Sequence, residues 1–156
     1  MPDLSRDVLT QLQILLREAF EGPQRESSFT DDNPESGLTG TLAKLSAAQA
    51  SRSWAGSTIA AHVHHVAFGM AAQGARVGGD RRSRDWTESW SVQTVDEAGW
   101  AQLLAELQKR RQELHAILEE HALDDGDTLG FALDAIAHVI YHLGAIRQKV
   151  AAGREG

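Results

Sequence analysis

Cysteine is absent from the 156-residue sequence, and this absence removes several classes of protein chemistry at once. The chain can form no disulfide, bind no metal through a thiolate and use no cysteine nucleophile. A composition without cysteine suits a reducing compartment such as the cytoplasm. Any metal that the protein binds must therefore be held by nitrogen or oxygen atoms.

Positive charge is also scarce, because 22 acidic residues outnumber 15 Lys and Arg and the formal net charge is -7. Two short basic clusters, at residues 81–84 and 109–111, lack interleaved aromatic residues and are interpreted as solvated surface. Nucleic acid is therefore not expected as a partner.

Long apolar runs are missing as well. No segment reaches the roughly 18 uninterrupted apolar residues that a membrane span needs. The first residues show neither the basic start nor the apolar run of a signal peptide. We expect a cytoplasmic protein without a membrane partner, folded as a single domain over residues 1–156.

Four segments carry apolar residues at the spacing of amphipathic helices, and none shows sustained strand alternation. The predicted helices cover about residues 4–20, 57–77, 94–121 and 128–152, with a short helix near 38–45. Ser57 is the predicted N-cap of the second helix, and Thr94 with Glu97 the predicted capping box of the third. The pattern predicts an all-α four-helix bundle with a long connection between the second and third helices.

Histidine is the residue type that points to a function. His138 and His142 are four residues apart on the fourth predicted helix, so both side chains project from one face. On a projection at about 100° per residue, His142 lies inside the apolar arc and His138 at its edge. This pair is therefore predicted to line the flank of the core.

The second predicted helix offers a third inward histidine. His62 lies nearest to the apolar stripe of this helix, His65 lies further round, and His64 faces nearly the opposite way. His62 is therefore the first candidate to point into the bundle, and His65 is the second. His64, His115 and His121 are predicted to be surface residues.

Three neutral imidazoles from two facing helices predict a metal site that keeps a position for water or substrate. Imidazole favours zinc, nickel, copper or iron over magnesium or calcium. A di-iron carboxylate site is excluded because no Glu-x-x-His occurs, and serine hydrolase chemistry lacks a Gly-x-Ser-x-Gly elbow. The alternative is a set of buried histidines that hydrogen bonds alone satisfy.

Two stretches of sequence carry a family resemblance. Trp54 precedes His62 by eight positions, and residues 138–148 read H-V-I-Y-H-L-G-A-I-R-Q. With the D-W-x-x-S-W stretch at residues 85–90, these features resemble the DinB/YfiT-like family of four-helix-bundle metalloenzymes. The resemblance implies an up-down-down-up bundle that binds zinc or nickel through three histidines, which correspond to His62, His138 and His142.

The same resemblance implies a homodimeric, metal-dependent enzyme that acts with a small thiol, as a thiol S-transferase or isomerase. Asp134 either orients His138 or is a surface carboxylate, and Trp86 and Trp90 either line the mouth of a pocket or cap the core. No general acid or base can be named beside the ligands. A non-catalytic metal-binding or stress-response module is therefore the alternative.

Overall fold

The computed structural model describes residues 4–154, with only the backbone of Leu4, and these residues form helices without any β-strand. The elements are α1 (Leu4–Glu21), α2 (Leu38–Leu42), α3 (Ala47–Ala50), α4 (Ile59–Val77), a 3₁₀ turn (Glu88–Trp90), α5 (Glu97–Glu120) and α6 (Gly126–Ala152). Four of these helices are long, which confirms the predicted all-α bundle. The ends of the predicted domain, residues 1–3 and 155–156, lie outside the described residues.

Helix α4 occupies the centre of the bundle, because it packs extensively against both α5 and α6. Its side chains Val63, Val66 and Met70 are almost completely buried. Leu107 of α5 and Ile146 of α6 contribute to the same hydrophobic core. Burial of this apolar surface is the main term that stabilises the fold. A polar side chain where α4 faces α6 therefore lies in a largely dry environment.

Two of the predicted helix starts were wrong by a few residues. Helix α4 is capped by Thr58, and the predicted cap Ser57 lies one residue outside. Helix α5 is capped by Asp96, so the predicted capping box of Thr94 and Glu97 does not form. Both segments contain neighbouring residues with capping side chains, and only the residue with extended backbone directly before the first helical turn can act as the cap.

Helix α6 is long and apolar enough to cross a membrane, with a mean hydropathy of 1.5 over its most apolar window. Its side chains Ala135, Ile136, Val139 and Ile146 are buried in the bundle. The core helix of a soluble protein passes the same test of length and composition, so this helix alone is weak evidence for a membrane span. The fold is compatible with a soluble protein.

A buried carboxylate anchors the segment after α1. The carboxylate oxygens of Glu18 accept backbone N–H groups of Ser28, Phe29 and Thr30 at 2.9–3.1 Å and the Thr30 hydroxyl at 2.7 Å. Burial alone would raise the pKa of Glu18, but these hydrogen bonds outweigh it and lower the pKa to about 2. The ionised carboxylate is therefore strongly favoured in the folded state.

We expect Glu18→Gln to lower the free energy of unfolding at pH 7 by roughly 2–3 kcal/mol, because an amide cannot replace the charge-assisted acceptor. Since the pKa of Glu18 lies below its ordinary value of 4.5, this stability is present above pH 4.5 and is lost as the pH falls toward 2. Urea unfolding at pH 7 and pH 3 measures both effects. The exposed Glu120 provides the control, and a Glu120→Gln effect of equal size would contradict this account.

Candidate metal centre

Four histidines lie together where α4 faces α6. His62 and His65 are one turn apart on α4, and His138 and His142 are one turn apart on α6. Residues three or four positions apart share a helix face, so each helix presents two imidazoles to the other. The structure thus brings together His62, His138 and His142, as the sequence predicts, and adds His65 to them.

The ring nitrogens approach each other in two pairs. Nδ1 of His62 is 2.9 Å from Nδ1 of His142, and Nε2 of His65 is 2.9 Å from Nε2 of His138. The His142 ring also neighbours the second pair, with its centroid 4.7 Å from that of His65 and 4.6 Å from that of His138. His142 is therefore the ring that joins the two pairs into one cluster.

Three of these rings can offer a nitrogen to a single ion. One ring nitrogen from each of His65, His138 and His142 lies within 4.8 Å of the others. His62 reaches this group through His142, and its Nε2 is 3.0 Å from the hydroxyl of Ser57. His62 contacts His142 and Ser57 but is not one of the three rings whose nitrogens group together. Its role as a metal ligand therefore stays a prediction.

Hydrogen bonds alone do not satisfy the cluster. Two imidazole nitrogens at 2.9 Å need either a proton on one of them or a shared cation, because two facing lone pairs repel. Nδ1 of His138 is buried and has no hydrogen-bond partner within the described part of the chain. A buried polar atom in this state costs roughly 1–3 kcal/mol. This unpaired atom lies against Gly69, and the three-nitrogen group of His65, His138 and His142 is the part of the cluster that fits a transition-metal ion.

A hydrogen bond to the 3₁₀ turn determines which ring nitrogen of His65 carries the proton. The hydroxyl of Ser89, which is fully buried, donates to the carbonyl of Trp86 at 2.6 Å. The Nδ1–H of His65 therefore donates to Ser89 Oγ, at 2.6 Å. With its proton on Nδ1, His65 directs the lone pair of Nε2 toward His138.

Among the histidines that were predicted to be surface residues, only His115 is clearly exposed. The prediction was wrong for His64, which is half-buried and donates its Nδ1–H to the carbonyl of Ser89 at 2.8 Å. His121 is also half-buried, and its Nδ1–H donates to the carbonyl of Ile117 at 2.9 Å. The 3₁₀ turn thus contacts two consecutive histidines of α4 through one serine.

Trp86 and Trp90 line one side of the cluster. The Trp90 ring stacks on His65 with centroids 4.1 Å apart and an interplanar angle of 20°, and its centroid is 5.3 Å from that of His62. The Trp86 centroid is 6.1 Å from that of His138. These rings cover one side of the imidazoles with apolar surface.

Burial lowers the pKa of all four imidazoles. For His62 the pKa falls to about 4, with burial the larger cause and the charge of Lys149 the smaller. The pKa of His65 falls to about 4 and that of His142 to about 3, through burial first and neighbouring histidines second. Burial also lowers the pKa of His138. At neutral pH the four rings are uncharged, which is the state that binds a metal ion.

Asp134 and Tyr141 of α6 both have exposed side chains. Asp134 is exposed and forms no hydrogen bond or ion pair with His138, so it is a surface carboxylate. Tyr141 has 72% of its surface exposed, although the edge of its ring contacts His142. Within the described part of the chain, the groups that orient the four imidazoles are therefore hydroxyls and other rings, not carboxylates.

A glycine on α4 makes room for His138. A Cβ atom at position 69 would lie 2.5 Å from Nδ1 of His138 and would also clash with its Cε1. Gly69 is buried, so neither the ring nor the helix can move away without disturbing the core. The close packing of α4 and α6 at the site therefore requires glycine at this position.

We expect Gly69→Ala to displace the His138 ring and to weaken metal binding by at least about tenfold, as other losses of ligand orientation do. The overpacked core should also lose roughly 1–3 kcal/mol of unfolding free energy. Chelator competition and urea unfolding measure these effects. Gly144 on α6 is the matched control, because no atom lies within 4 Å of its added Cβ. Equal metal affinity in the Gly69 and Gly144 variants would refute the packing role.

Ser89→Ala should leave the fold largely intact while releasing the Nδ1–H of His65. We expect the affinity for zinc to fall by about 10–100-fold, which is the usual effect of removing a partner that orients a ligand. Chelator competition gives the affinity, and NMR of the imidazole nitrogens reports the tautomer of His65. Ser91→Ala, on an exposed neighbouring serine, is the control. An unchanged His65 tautomer in Ser89→Ala would disprove the assignment.

Comparison with known proteins identifies one family. The family model described as the DinB superfamily matches residues 31–146, which include all four histidines of the cluster and both tryptophans beside it. No curated protein and no solved structure gives a significant match. The match covers most of the chain and agrees with the resemblance of its histidine-containing segments.

Proposed function

The chain belongs to the DinB superfamily, and we propose that it binds one divalent transition-metal ion through His65, His138 and His142. The observation that carries this proposal is the approach of three imidazole nitrogens to within 4.8 Å of one another. Their low pKa values keep the rings neutral, and the surrounding core favours neutral over charged imidazole. Three protein ligands leave a position for water or substrate.

The family resemblance implies that His62 is a metal ligand. In this proposal His62 instead orients the ligand His142 through a hydrogen bond between their ring nitrogens. Its two ring nitrogens contact Nδ1 of His142 and the hydroxyl of Ser57. A histidine that donates to or accepts from the second nitrogen of a ligand fixes the orientation of that ligand. Direct binding of the ion by His62 stays the competing prediction, and variants of His62 and His65 distinguish the two.

We propose zinc or nickel as the metal. Imidazole nitrogens bind both ions well, and hard ions such as magnesium and calcium prefer oxygen ligands. Within residues 4–154, no carboxylate forms a hydrogen bond or ion pair with any of the four clustered histidines. A centre built from nitrogen donors alone therefore supports a borderline transition metal.

For the reaction, we propose metal-dependent chemistry with a small thiol, of the S-transferase or isomerase type. The family resemblance and a set of only three histidine ligands, which as a rule leaves one coordination position for water or substrate, support this proposal. Zinc or nickel, when bound, lowers the pKa of a thiol so that a thiolate forms at neutral pH. Among the chain's own residues, Ser89 orients His65, while Trp86 and Trp90 exclude water.

One observation favours a non-catalytic metal-binding or stress-response module as the second candidate. General acid–base catalysis needs a titratable group within reach of the reacting atoms. No Asp or Glu of the described chain contacts the histidine cluster, and Tyr141 is turned largely to solvent. A protein that only holds the metal would show the same arrangement.

Turnover with a panel of low-molecular-weight thiols tests the enzymatic proposal. The zinc- or nickel-loaded protein is incubated with a chlorinated aromatic or an epoxide and one thiol at a time. We expect a rate that needs both the correct thiol and the metal and that is lost in His142→Gln. Full metal occupancy with no thiol-dependent rate would favour the non-catalytic module instead.

Compartment and partners are part of the proposal. A cytoplasmic protein is supported by the cysteine-free composition and by an apolar α6 whose inner face is buried in the bundle. We propose a small-molecule substrate, no nucleic acid or membrane partner, and a homodimer, the last on the family resemblance alone. Light scattering of the purified protein gives the oligomeric state.

A further inference from the structure

A cavity of about 360 Å³ opens beside the C-terminal end of α6, and none of the clustered histidines lines it. Its wall includes Gln49 of α3, Ile59 of α4 and Trp54 in the turn before α4. Cavities that bind small molecules in proteins measure roughly 300–1,000 Å³. This cavity therefore has room for a small organic molecule.

The charge of the lining is the unusual feature of this cavity. No carboxylate of a described residue lines it. Four cationic residues do, namely Lys44, Arg52, Lys149 and Arg154. Two of them, Lys149 and Arg154, lie at the end of α6, where cations offset the helix dipole. Lys44 and Arg52 come from other parts of the chain, and among ion pairs within residues 4–154 only Lys44 of these four has a partner, Glu35. In a protein of net charge -7, such a concentration of cations favours an anionic ligand.

Lys149 supplies an independent indication. Its side chain is buried, with 7% of the residue exposed, and its Nζ donates to the carbonyls of Trp54 at 2.5 Å and Ser57 at 3.1 Å. No carboxylate of a described residue pairs with it. A buried ammonium without an anionic partner is costly, and an anion in the adjoining cavity would offset that cost.

Trp54 gives the cavity an apolar wall. Its residue surface is 47% exposed, which is unusual for a large aromatic residue, and Nζ of Lys149 lies 5.3 Å from its ring centroid. An aromatic face next to cationic groups suits a molecule that has both a carbon skeleton and an anionic group. An inorganic anion would contact only the cationic side chains of the cavity and not the ring of Trp54.

We propose that this cavity binds a small organic anion that carries a carboxylate or phosphate group. Lys149 and Arg52 contact the anionic oxygens, because an ammonium supplies a point charge and a guanidinium supplies a planar pair of donors. Trp54 covers the carbon skeleton. Lys149 adjoins both regions, because its charge lowers the pKa of His62 and its Nζ donates to the Ser57 carbonyl. Anion binding and metal binding are measured separately, so the failure of either proposal leaves the other standing.

Isothermal titration calorimetry at low ionic strength tests the site with three probes: inorganic phosphate, phenyl phosphate and succinate. We expect at least one organic probe to bind with a Kd below about 1 mM and inorganic phosphate to bind more weakly. Binding of phenyl phosphate alone identifies a phosphate site, and binding of succinate alone identifies a carboxylate site. Absence of binding by both organic probes at 10 mM would overturn the proposal.

Variants locate the binding. Arg52→Gln should weaken binding of the organic probe by about tenfold or more, because it removes a cation that lines the cavity. Arg52 is exposed and forms no ion pair with another described residue, so this variant should keep the fold. Lys149→Met should weaken it further, and circular dichroism checks that this variant still folds. Arg25, which is exposed and does not line the cavity, is the control. Equal losses in Arg25→Gln and Arg52→Gln would show general attraction to positive charge and would overturn the proposed site.

Discussion

His142→Gln is expected to lower the affinity for zinc or nickel by more than about 100-fold, because loss of a direct ligand exceeds the 10–100-fold effect of losing a ligand's partner. His142 is the ring that neighbours His62, His65 and His138 together. Its removal therefore breaks the centre whichever histidine of α4 completes the ligand set. Elemental analysis after dialysis and chelator competition measure the loss.

The exposed His115 on α5 is the matched control for this variant. His115→Gln should retain the metal content of the unsubstituted protein. Glutamine keeps much of the volume of the histidine side chain, so the fold of His142→Gln should survive, and circular dichroism verifies this. Full metal occupancy in folded His142→Gln would reject the ligand set.

The second large effect concerns the two histidines of α4. We expect His65→Gln to lower the metal affinity by more than about 100-fold and His62→Gln by about 10–100-fold, because the first is a ligand and the second holds one. The nitrogens of His65, His138 and His142 group together, whereas His62 contacts His142 and Ser57. Chelator competition on both variants ranks the two residues.

The reverse order would show that His62 is the ligand, as the family resemblance implies, and would contradict the assignment of His65. Ser57→Ala sharpens the comparison, since its hydroxyl contacts only the His62 side of the cluster. If His62 holds His142, Ser57→Ala should weaken metal binding less than His62→Gln does. A Ser57→Ala effect as large as that of His65→Gln would not fit this arrangement.

The sequence predicted the long helices well, because the apolar period is set by the core that the helices share. The four long helices lie close to their predicted bounds. The N-caps of α4 and α5 were displaced because Ser57 and Thr58, and likewise Thr94 and Asp96, all have side chains that can cap a helix. Only the backbone conformation selects between such neighbours.

The candidate site was predictable in part. The spacing of His138 and His142 places them on one face of a helix in any structure, and both lie in the cluster. The ranking of His62 above His65 rested on the apolar stripe of α4 and on the family resemblance, and neither shows where α6 and the 3₁₀ turn approach that helix. Ser89 belonged to the D-W-x-x-S-W stretch of the family resemblance, but its contact with His65 could not be predicted, because that contact depends on how a long connection folds.

Gly69 carried a weak signal that sequence reasoning missed. A glycine inside a helix costs roughly 0.5–1 kcal/mol relative to alanine, so its presence in α4 indicates a close approach by another group. This reasoning does not single out Gly69, because Gly74 lies in the same helix. A Cβ atom at position 74 would lie at ordinary contact distances from leucine and isoleucine side chains. The tertiary contact with His138 distinguishes the two glycines.

Crystals of the untagged protein, measured at the zinc and nickel absorption edges, test the central claim most directly. We predict one anomalous peak per chain, within coordination distance of nitrogens from His65, His138 and His142. A protein that contains no transition metal after growth and purification with zinc and nickel supplied, or an ion bound away from these rings, would contradict it.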